Sequence, residues 1–127
     1  MGRRSRGRAA QDDGEPDKLK APNSDYRDGE GNVLTLRGSL SASSRRQYAR
    51  ALSGEWRIPA TREDAWQRAT ELLFERLAVR WTIAGAPLEG QRELLRRYRA
   101  ASQQERLWVR VVLREHCAEN FPGLEAP

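Results

Sequence analysis

The residue types that most often catalyse reactions are scarce in this sequence, and their spacing does not build a catalytic group. The single histidine, His116, stands next to the single cysteine, Cys117. Neighbouring residues of a helix point about 100° apart, so these two do not form a nucleophile and its base. The usual ligand set of a zinc site cannot be assembled from one histidine and one cysteine. We expect a histidine at a helix end and a small buried thiol.

Two pairs of glutamates lie one helical turn apart, Glu71 with Glu75 and Glu89 with Glu93. Such pairs hold two metals in four-helix proteins, but only together with Glu-x-x-His motifs, which this sequence lacks. The Gly-Glu-Gly segment at 29–31 does not continue into a phosphate-binding loop. The sequence therefore predicts no catalytic residue, no metal site, no cofactor and no small-molecule substrate, and hence a protein that is not an enzyme.

Arginine supplies nearly all of the positive charge. Of 23 basic residues, 21 are arginines, and the formal net charge is +5. Two explanations are open. The planar guanidinium group is suited to binding phosphate through two hydrogen bonds, whereas a GC-rich genome raises the arginine content throughout a protein without any partner. Charge of this kind informs about partners rather than about the fold.

The candidate nucleic-acid-binding residues are all arginines, in one N-terminal cluster and on three predicted helices. They are Arg3, Arg4, Arg6 and Arg8; Arg45, Arg46 and Arg50; Arg92, Arg96, Arg97 and Arg99; and Arg106, Arg110 and Arg114. Basic arms bind phosphate backbones and enter minor grooves, but a solubilising tail has the same composition. The last group recurs every four residues and forms a stripe, which suits a phosphate backbone or an ordinary polar helix face.

We therefore expect a non-enzymatic binding protein that associates with nucleic acid or a nucleoprotein assembly through a basic arm and arginine-rich helix faces. The alternative is a protein–protein adaptor or accessory subunit with no nucleic-acid role. It would dock through Trp56 and the apolar flank of the second predicted helix, since aromatic and arginine side chains are enriched at binding hot spots. The lone cysteine and the lack of a long apolar run predict a cytoplasmic protein without a membrane partner.

The elements that must position these residues are predicted to be mainly α-helical. Residues 1–24 contain Leu19 as their only large aliphatic side chain after the initiator methionine and have no aromatic residue, so we expect a disordered arm of mixed charge. Residues 25–127 are expected to form a single helical domain, a small bundle of three to four helices. Within it, turn-forming residues followed by residues that favour strands predict a short β-hairpin over 25–37.

Apolar residues recur at intervals of three and four in four later segments. These segments predict helices over 42–53, 62–84, 88–100 and 103–118. Ser41 and Thr61 are the expected N-caps of the first two helices, and Ser102 with Glu105 forms a capping box for the fourth. The predicted core residues are Trp66, Leu73, Leu77, Trp81, Leu95, Tyr98, Trp108, Val111 and Val112.

A helix-turn-helix DNA-binding unit is a further hypothesis for the segment around Gly85, between the second and third predicted helices. Trp81 argues against it, because close packing of two helices at that point needs a small residue. Pro87 and Gly90 also weaken the start of the third helix as a recognition helix.

Overall fold

Two strands, two helices, two strands and two helices follow one another along the chain in a computed structural model, which describes residues 22–53 and 59–124. The elements are β1 (Ser24–Arg27), β2 (Val33–Leu36), α1 (Ala42–Leu52), α2 (Pro59–Leu77), β3 (Ala78–Ile83), β4 (Ala86–Glu89), α3 (Gln91–Arg99) and α4 (Gln103–Asn120). The strands form one antiparallel sheet in the order β1-β2-β3-β4. The fold is therefore α+β, and the prediction of a mainly α-helical bundle is wrong.

The single helix predicted over 62–84 is a helix followed directly by a strand. α2 ends at Leu77, and β3 begins at the next residue. From Val79 to Ile83, apolar and polar residues alternate with the two-residue period of a half-buried strand. Leu77 and Trp81 also fit the helical period, which is why the helical pattern extends too far along the sequence.

A tight turn joins β3 to β4 where the helix-turn-helix hypothesis places the end of a helix. Ala84 and Gly85 both have positive φ, 52° and 81°, as in the type I′ turn that matches the twist of paired strands. β3 and β4 pair along their length, so the helix-turn-helix hypothesis is wrong. Leu88 lies in β4, and α3 begins at Gln91 rather than at the start of the predicted helix over 88–100.

The predicted hairpin and two of the predicted caps are confirmed. Residues 25–37 contain the paired strands β1 and β2, although these are half of a larger sheet. Ser41 caps α1, and Ser102 with Glu105 forms the capping box of α4. Thr61 is not a cap, because α2 begins before it.

One face of the sheet is apolar. Tyr26, Leu34, Trp81 and Leu88 lie side by side across the four strands, and Leu34 and Trp81 are buried in the core. On the opposite face, Asp25, Thr35, Arg80 and Glu89 form a polar row. The sheet thus supplies one wall of the core, which the helical prediction lacked.

Five of the nine predicted core residues are buried, with at most 4% of each exposed. These are Leu73, Leu77, Trp81, Tyr98 and Val112. Leu95 and Trp108 are half-buried and pack against this core. Trp66 is half-buried, and Val111, which is 39% exposed, was predicted wrongly. No helix among the described residues is long and apolar enough to cross a membrane.

The buried His116 joins α4 to the sheet. Its Nε2 lies 2.6 Å from the Arg37 carbonyl oxygen. A carbonyl only accepts, so Nε2 carries the proton and donates it. Nδ1 then accepts from the Tyr26 hydroxyl at 2.7 Å, and the Asn120 amide nitrogen lies 3.3 Å away. Both ring nitrogens have partners, which offsets the cost of burying them.

Two substitutions test the β3–β4 turn, because Ala84→Gly and Gly85→Ala should change the free energy of unfolding in opposite directions. A left-handed φ costs a residue with a Cβ roughly 1 kcal/mol, so Gly85→Ala should lower the free energy of unfolding by about that amount. Ala84→Gly should raise it by about 0.5 kcal/mol, because relief of the strain exceeds the entropy that glycine adds to the unfolded chain. Urea unfolding measures both changes. In a continuous helix Ala84→Gly would destabilise by up to ~1 kcal/mol, so a loss of stability in this variant contradicts the turn.

Stability should fall as the pH drops below about 6.5, the pKa of histidine in an unfolded chain. Burial lowers the pKa of His116, against the opposing effects of its bond to the Arg37 carbonyl and of the nearby Glu119. The folded protein therefore favours the neutral ring, and this stabilisation is complete above the unfolded pKa and lost as the pH falls towards the folded pKa. His116 is the sole histidine, so its NMR titration gives the folded pKa directly. A folded pKa above 6.5, the ordinary value, would contradict the prediction.

Candidate nucleic-acid interface

The predicted N-terminal cluster, Arg3, Arg4, Arg6 and Arg8, lies outside the described residues, and so does Trp56 of the alternative docking surface. The point where the N-terminal segment joins the body is described. Ser24 pairs with Leu36 at the start of β1, so the chain enters the sheet at the end where β2 leaves it. The segment therefore joins the body beside Arg37.

Arg97, one of the predicted binding residues on α3, is bonded within the protein. Its two terminal nitrogens lie 2.9 and 3.4 Å from the two carboxylate oxygens of Glu105. Its guanidinium carbon also lies 5.2 Å from the centre of the Trp81 ring. Hydrogen bonds from Arg97 are the main reason that the pKa of Glu105 is lowered. This ion pair joins α3 to α4, so Arg97 is not available to a phosphate.

Three further predicted arginines also have partners inside the protein. Arg99 lies 2.9 Å from the carboxylate of Glu71 on α2. Arg106 donates to two carbonyl oxygens at the C-terminal end of α3, at 3.2 and 3.0 Å. Arg96 lies 3.3 Å from Glu93, but both side chains are at least half exposed, and such pairs contribute little to stability. Arg106 holds α3 and α4 together, whereas the largely exposed Arg96 and Arg99 remain accessible.

The remaining predicted residues on α3 and α4 are Arg92, Arg110 and Arg114. Arg92 and Arg114 are exposed, and Arg110 is half-buried. Among the described residues, none of the three has an ion-pair or hydrogen-bond partner. The stripe on α4 is nevertheless interrupted, because Arg106 is bonded to α3.

Four arginines belong to α1, to the C-terminal end of α2 and to the residue after β2, and α1 packs against α2. The Arg76 guanidinium donates to the side-chain oxygen of Gln47 at 2.7 Å. Arg37, which follows β2, donates from Nε to the Arg76 carbonyl at 3.3 Å. Arg46 and Arg50 stand one and three residues from Gln47 on α1, and both are exposed. We call Arg37, Arg46, Arg50 and Arg76 the α1 cluster.

The α1 cluster is not neutralised by acidic side chains. Within the described part of the chain, none of its four arginines has a carboxylate partner. α1 itself has three arginines and no acidic residue. The Nε of Arg76 is buried without a hydrogen-bond partner, so one donor is unused. Uncompensated guanidinium groups of this kind attract anions.

Arg45, the third predicted residue on α1, lies beside the cluster. Its guanidinium carbon is 5.2 Å from the centre of the Phe121 ring, and its Nε lies 3.4 Å from the Leu40 carbonyl oxygen. The side chain is exposed. It therefore adds positive charge to this side of the molecule while packing against the end of α4.

Sequence reasoning found Arg46 and Arg50 but missed Arg37 and Arg76. Those two arginines are 39 positions apart, and nothing in either local sequence relates them. They meet because β2 pairs with β3, which begins where α2 ends. Only the tertiary fold carries that information.

Cys117 does not have the properties of a nucleophile. It is 1% exposed, and burial raises its pKa to about 11, so it stays a thiol at neutral pH. A thiol of this kind is inert until it is deprotonated. Among residues 22–53 and 59–124, no group of three His, Cys, Asp or Glu side chains lies close enough together to hold a metal ion.

Comparison with known proteins does not connect the chain to a family. No family model, no curated protein and no solved structure matches it. The geometry and charge of the described residues are therefore the basis for assigning a function.

Proposed function

We propose that this protein is a non-enzymatic nucleic-acid-binding protein that contacts the phosphate backbone through the α1 cluster and the predicted basic arm. The observation that carries the proposal is the unpaired charge of the α1 cluster. It contains four arginines without a carboxylate partner among the described residues. Guanidinium groups bind phosphate oxygens through two parallel hydrogen bonds, which makes them suited to a nucleic-acid backbone.

The spacing within the cluster supports the same function. Arg46 and Arg50 are one helical turn apart, so their Cα atoms are separated by about 6 Å. Along the axis of duplex DNA, each strand carries a charge every 3.4 Å or so. Two adjacent phosphates therefore lie within reach of the two exposed side chains. Arg37 and Arg76 extend the positive surface across the end of α2.

The attachment point of the predicted arm supports a combined contact. The N-terminal segment joins β1 beside Arg37, at the same end of the sheet as the α1 cluster. Two linked contacts on one ligand strengthen each other, because the first raises the effective concentration of the second. The arm arginines and the α1 cluster would thus bind neighbouring stretches of one backbone.

A pair of double variants tests the proposal. Arg46→Gln/Arg50→Gln and Arg92→Gln/Arg96→Gln each remove two charges from one exposed helix face, one on α1 and one on α3. Fluorescence anisotropy with labelled duplex DNA, single-stranded DNA and RNA at a series of salt concentrations gives the affinities. The α1 variant should bind roughly tenfold or more weakly and reduce the slope of log affinity against log salt by up to about 1.8 on duplex DNA. The α3 variant removes the same number of charges from the other face but should weaken binding less than the α1 variant, because Arg92 and Arg96 do not belong to the α1 cluster.

Equal losses in the two double variants would show that affinity follows net charge, and the α1 cluster would then be the wrong site. Binding that is absent at low salt, or that does not weaken with salt, would contradict the nucleic-acid function itself. Replacing the four arm arginines by glutamine in the full chain measures the contribution of the arm, which should also be salt-sensitive.

The second candidate function is a protein–protein adaptor, and one observation favours it. Leu107 and Val111 stand one turn apart on α4 and are 58% and 39% exposed. Sedimentation of the wild type and of Leu107→Gln/Val111→Gln tests for self-association through this face. Self-association that the double variant abolishes, together with no salt-sensitive binding of nucleic acid, would favour the adaptor.

A further inference from the structure

A pocket of about 230 Å³ opens between the N-terminal half of α2 and the first half of α4. Its lining includes Trp66, Gln67, Tyr98, Gln103, Leu107 and Arg110. Trp66 lies ten residues before Arg76 on α2, which corresponds to about 15 Å along the helix. The pocket is therefore separate from the α1 cluster, and it is not used by the function proposed above.

Two donors at this pocket lack a partner among the described residues. The Nε of Arg110 is buried without a hydrogen bond, although the side chain as a whole is half-buried. Tyr98 is 4% exposed, and its hydroxyl has no hydrogen-bond partner among the described residues but is not fully buried. A buried donor without an acceptor costs about 1–3 kcal/mol, so an acceptor from a bound molecule would remove this cost at the Arg110 Nε.

The electrostatics of the pocket favour an anion. Arg106 lines it as well, and bonds to two carbonyls fix its guanidinium in place. Burial is the main reason that the pKa of Tyr98 is raised; Arg110 and Arg106 act in the opposite direction, and Glu71 acts in the same direction as burial. The charged residues that line the pocket are two arginines, Arg106 and Arg110, and one exposed carboxylate, that of Glu63.

The same pocket has an apolar wall. Trp66 is half-buried, and the guanidinium carbon of Arg62 lies 5.6 Å from the centre of its ring. Leu107 is 58% exposed, an unusual state for a large aliphatic side chain. Flat apolar surface beside a positive group is the combination that binds an aromatic ring bearing an anionic group. Glu63 offers an acceptor for an amino or imino group of such a ring.

We propose that this pocket binds a phosphate monoester carried on one planar ring, of the size of a single pyrimidine nucleotide. Arg110 and the Tyr98 hydroxyl donate to the phosphate oxygens, and the ring packs against Trp66 and Leu107. The pocket volume lies below the ~300–1,000 Å³ of pockets for drug-sized ligands. This volume limits the planar part of the bound molecule to a single small ring. A free nucleotide and the phosphorylated end of a nucleic-acid strand present this same chemistry.

Titration of the ¹⁵N-labelled full-length protein with uridine 5′-monophosphate, followed by NMR, tests the proposal. We expect saturable shifts of the Arg110 Nε–H and of amides around Trp66. Arg110→Gln should weaken binding about tenfold or more, since it removes a charged donor to phosphate. Arg114→Gln removes the same charge one turn further along α4, at an exposed site, and should change affinity about twofold or less.

Tyr98→Phe is the second variant, and it keeps the ring that stacks on Phe74 at 5.0 Å between centroids. It should weaken binding by about threefold or more, because only the hydroxyl is lost. This variant decides the matter if Arg110→Gln does not fold. The Arg46→Gln/Arg50→Gln variant should bind the nucleotide like the wild type, which keeps this inference distinguishable from the function proposed for the α1 cluster.

No saturation at about 10 mM nucleotide, where even a 1 mM site is mostly filled, overturns the proposal. Equal losses in Arg110→Gln and Arg114→Gln overturn it too, as does inorganic phosphate binding as tightly as the nucleotide. A 5′-phosphorylated tetranucleotide and its 5′-hydroxyl counterpart identify the source. Tighter binding of the phosphorylated strand than of the free nucleotide assigns the pocket to strand ends, and the reverse order assigns it to free nucleotides.

Discussion

Three hydrogen bonds made by Arg37 hold the sheet, α2 and α4 together. Its backbone N–H donates to the Leu77 carbonyl at 2.8 Å, its own carbonyl accepts from His116 at 2.6 Å, and its Nε donates to the Arg76 carbonyl at 3.3 Å. The last carbonyls of a helix have no partner inside that helix. Because the residue after β2 supplies donors for two of them, α2 can turn into β3 without an intervening loop.

The same junction explains why positive charge is tolerated beside α1. The C-terminal end of a helix carries a partial negative charge, and a nearby cation is favourable there. The Arg37 side chain lies at that end of α2, and Arg76 comes from its last turn. The bonds that build the fold therefore also gather guanidinium groups on one side of the molecule, so structure and proposed binding share the same residues.

Local signals in the sequence were sufficient for some elements and not for others. The caps at Ser41 and Ser102 are decided within four residues, and the β1–β2 hairpin by its turn, so these could be predicted. The change from helix to strand at Leu77 could not be predicted in this way. The four-residue spacing from Leu77 to Trp81 fits both the helical period and the strand period. The strand with which β3 pairs, β2, is 40 residues or so away in the chain. Because the sheet was not predicted, part of the core was predicted at the wrong residues.

The candidate site shows the same division. Arg46 and Arg50, two of the predicted binding residues, are exposed, and α1 has no acidic residue of its own with which they could pair. The pairing of Arg97 with Glu105 and of Arg99 with Glu71 depends on how α3 lies against its neighbours. The number of arginines can be counted in the sequence, whereas the packing of the helices decides which of these arginines have a carboxylate partner.

Both outer strands of the sheet carry features that oppose the addition of another strand. Pro87 lies within β4 at one edge, where its missing N–H removes a donor that an incoming chain would need. β1 at the other edge spans four residues, follows Pro22 closely and bears the exposed Asp25 and Arg27. Short, charged and proline-bearing edges protect sheets from aggregation. Within the part of the chain that the structure describes, the sheet is therefore built to remain at four strands, and contacts made by its side chains are favoured over pairing of its backbone.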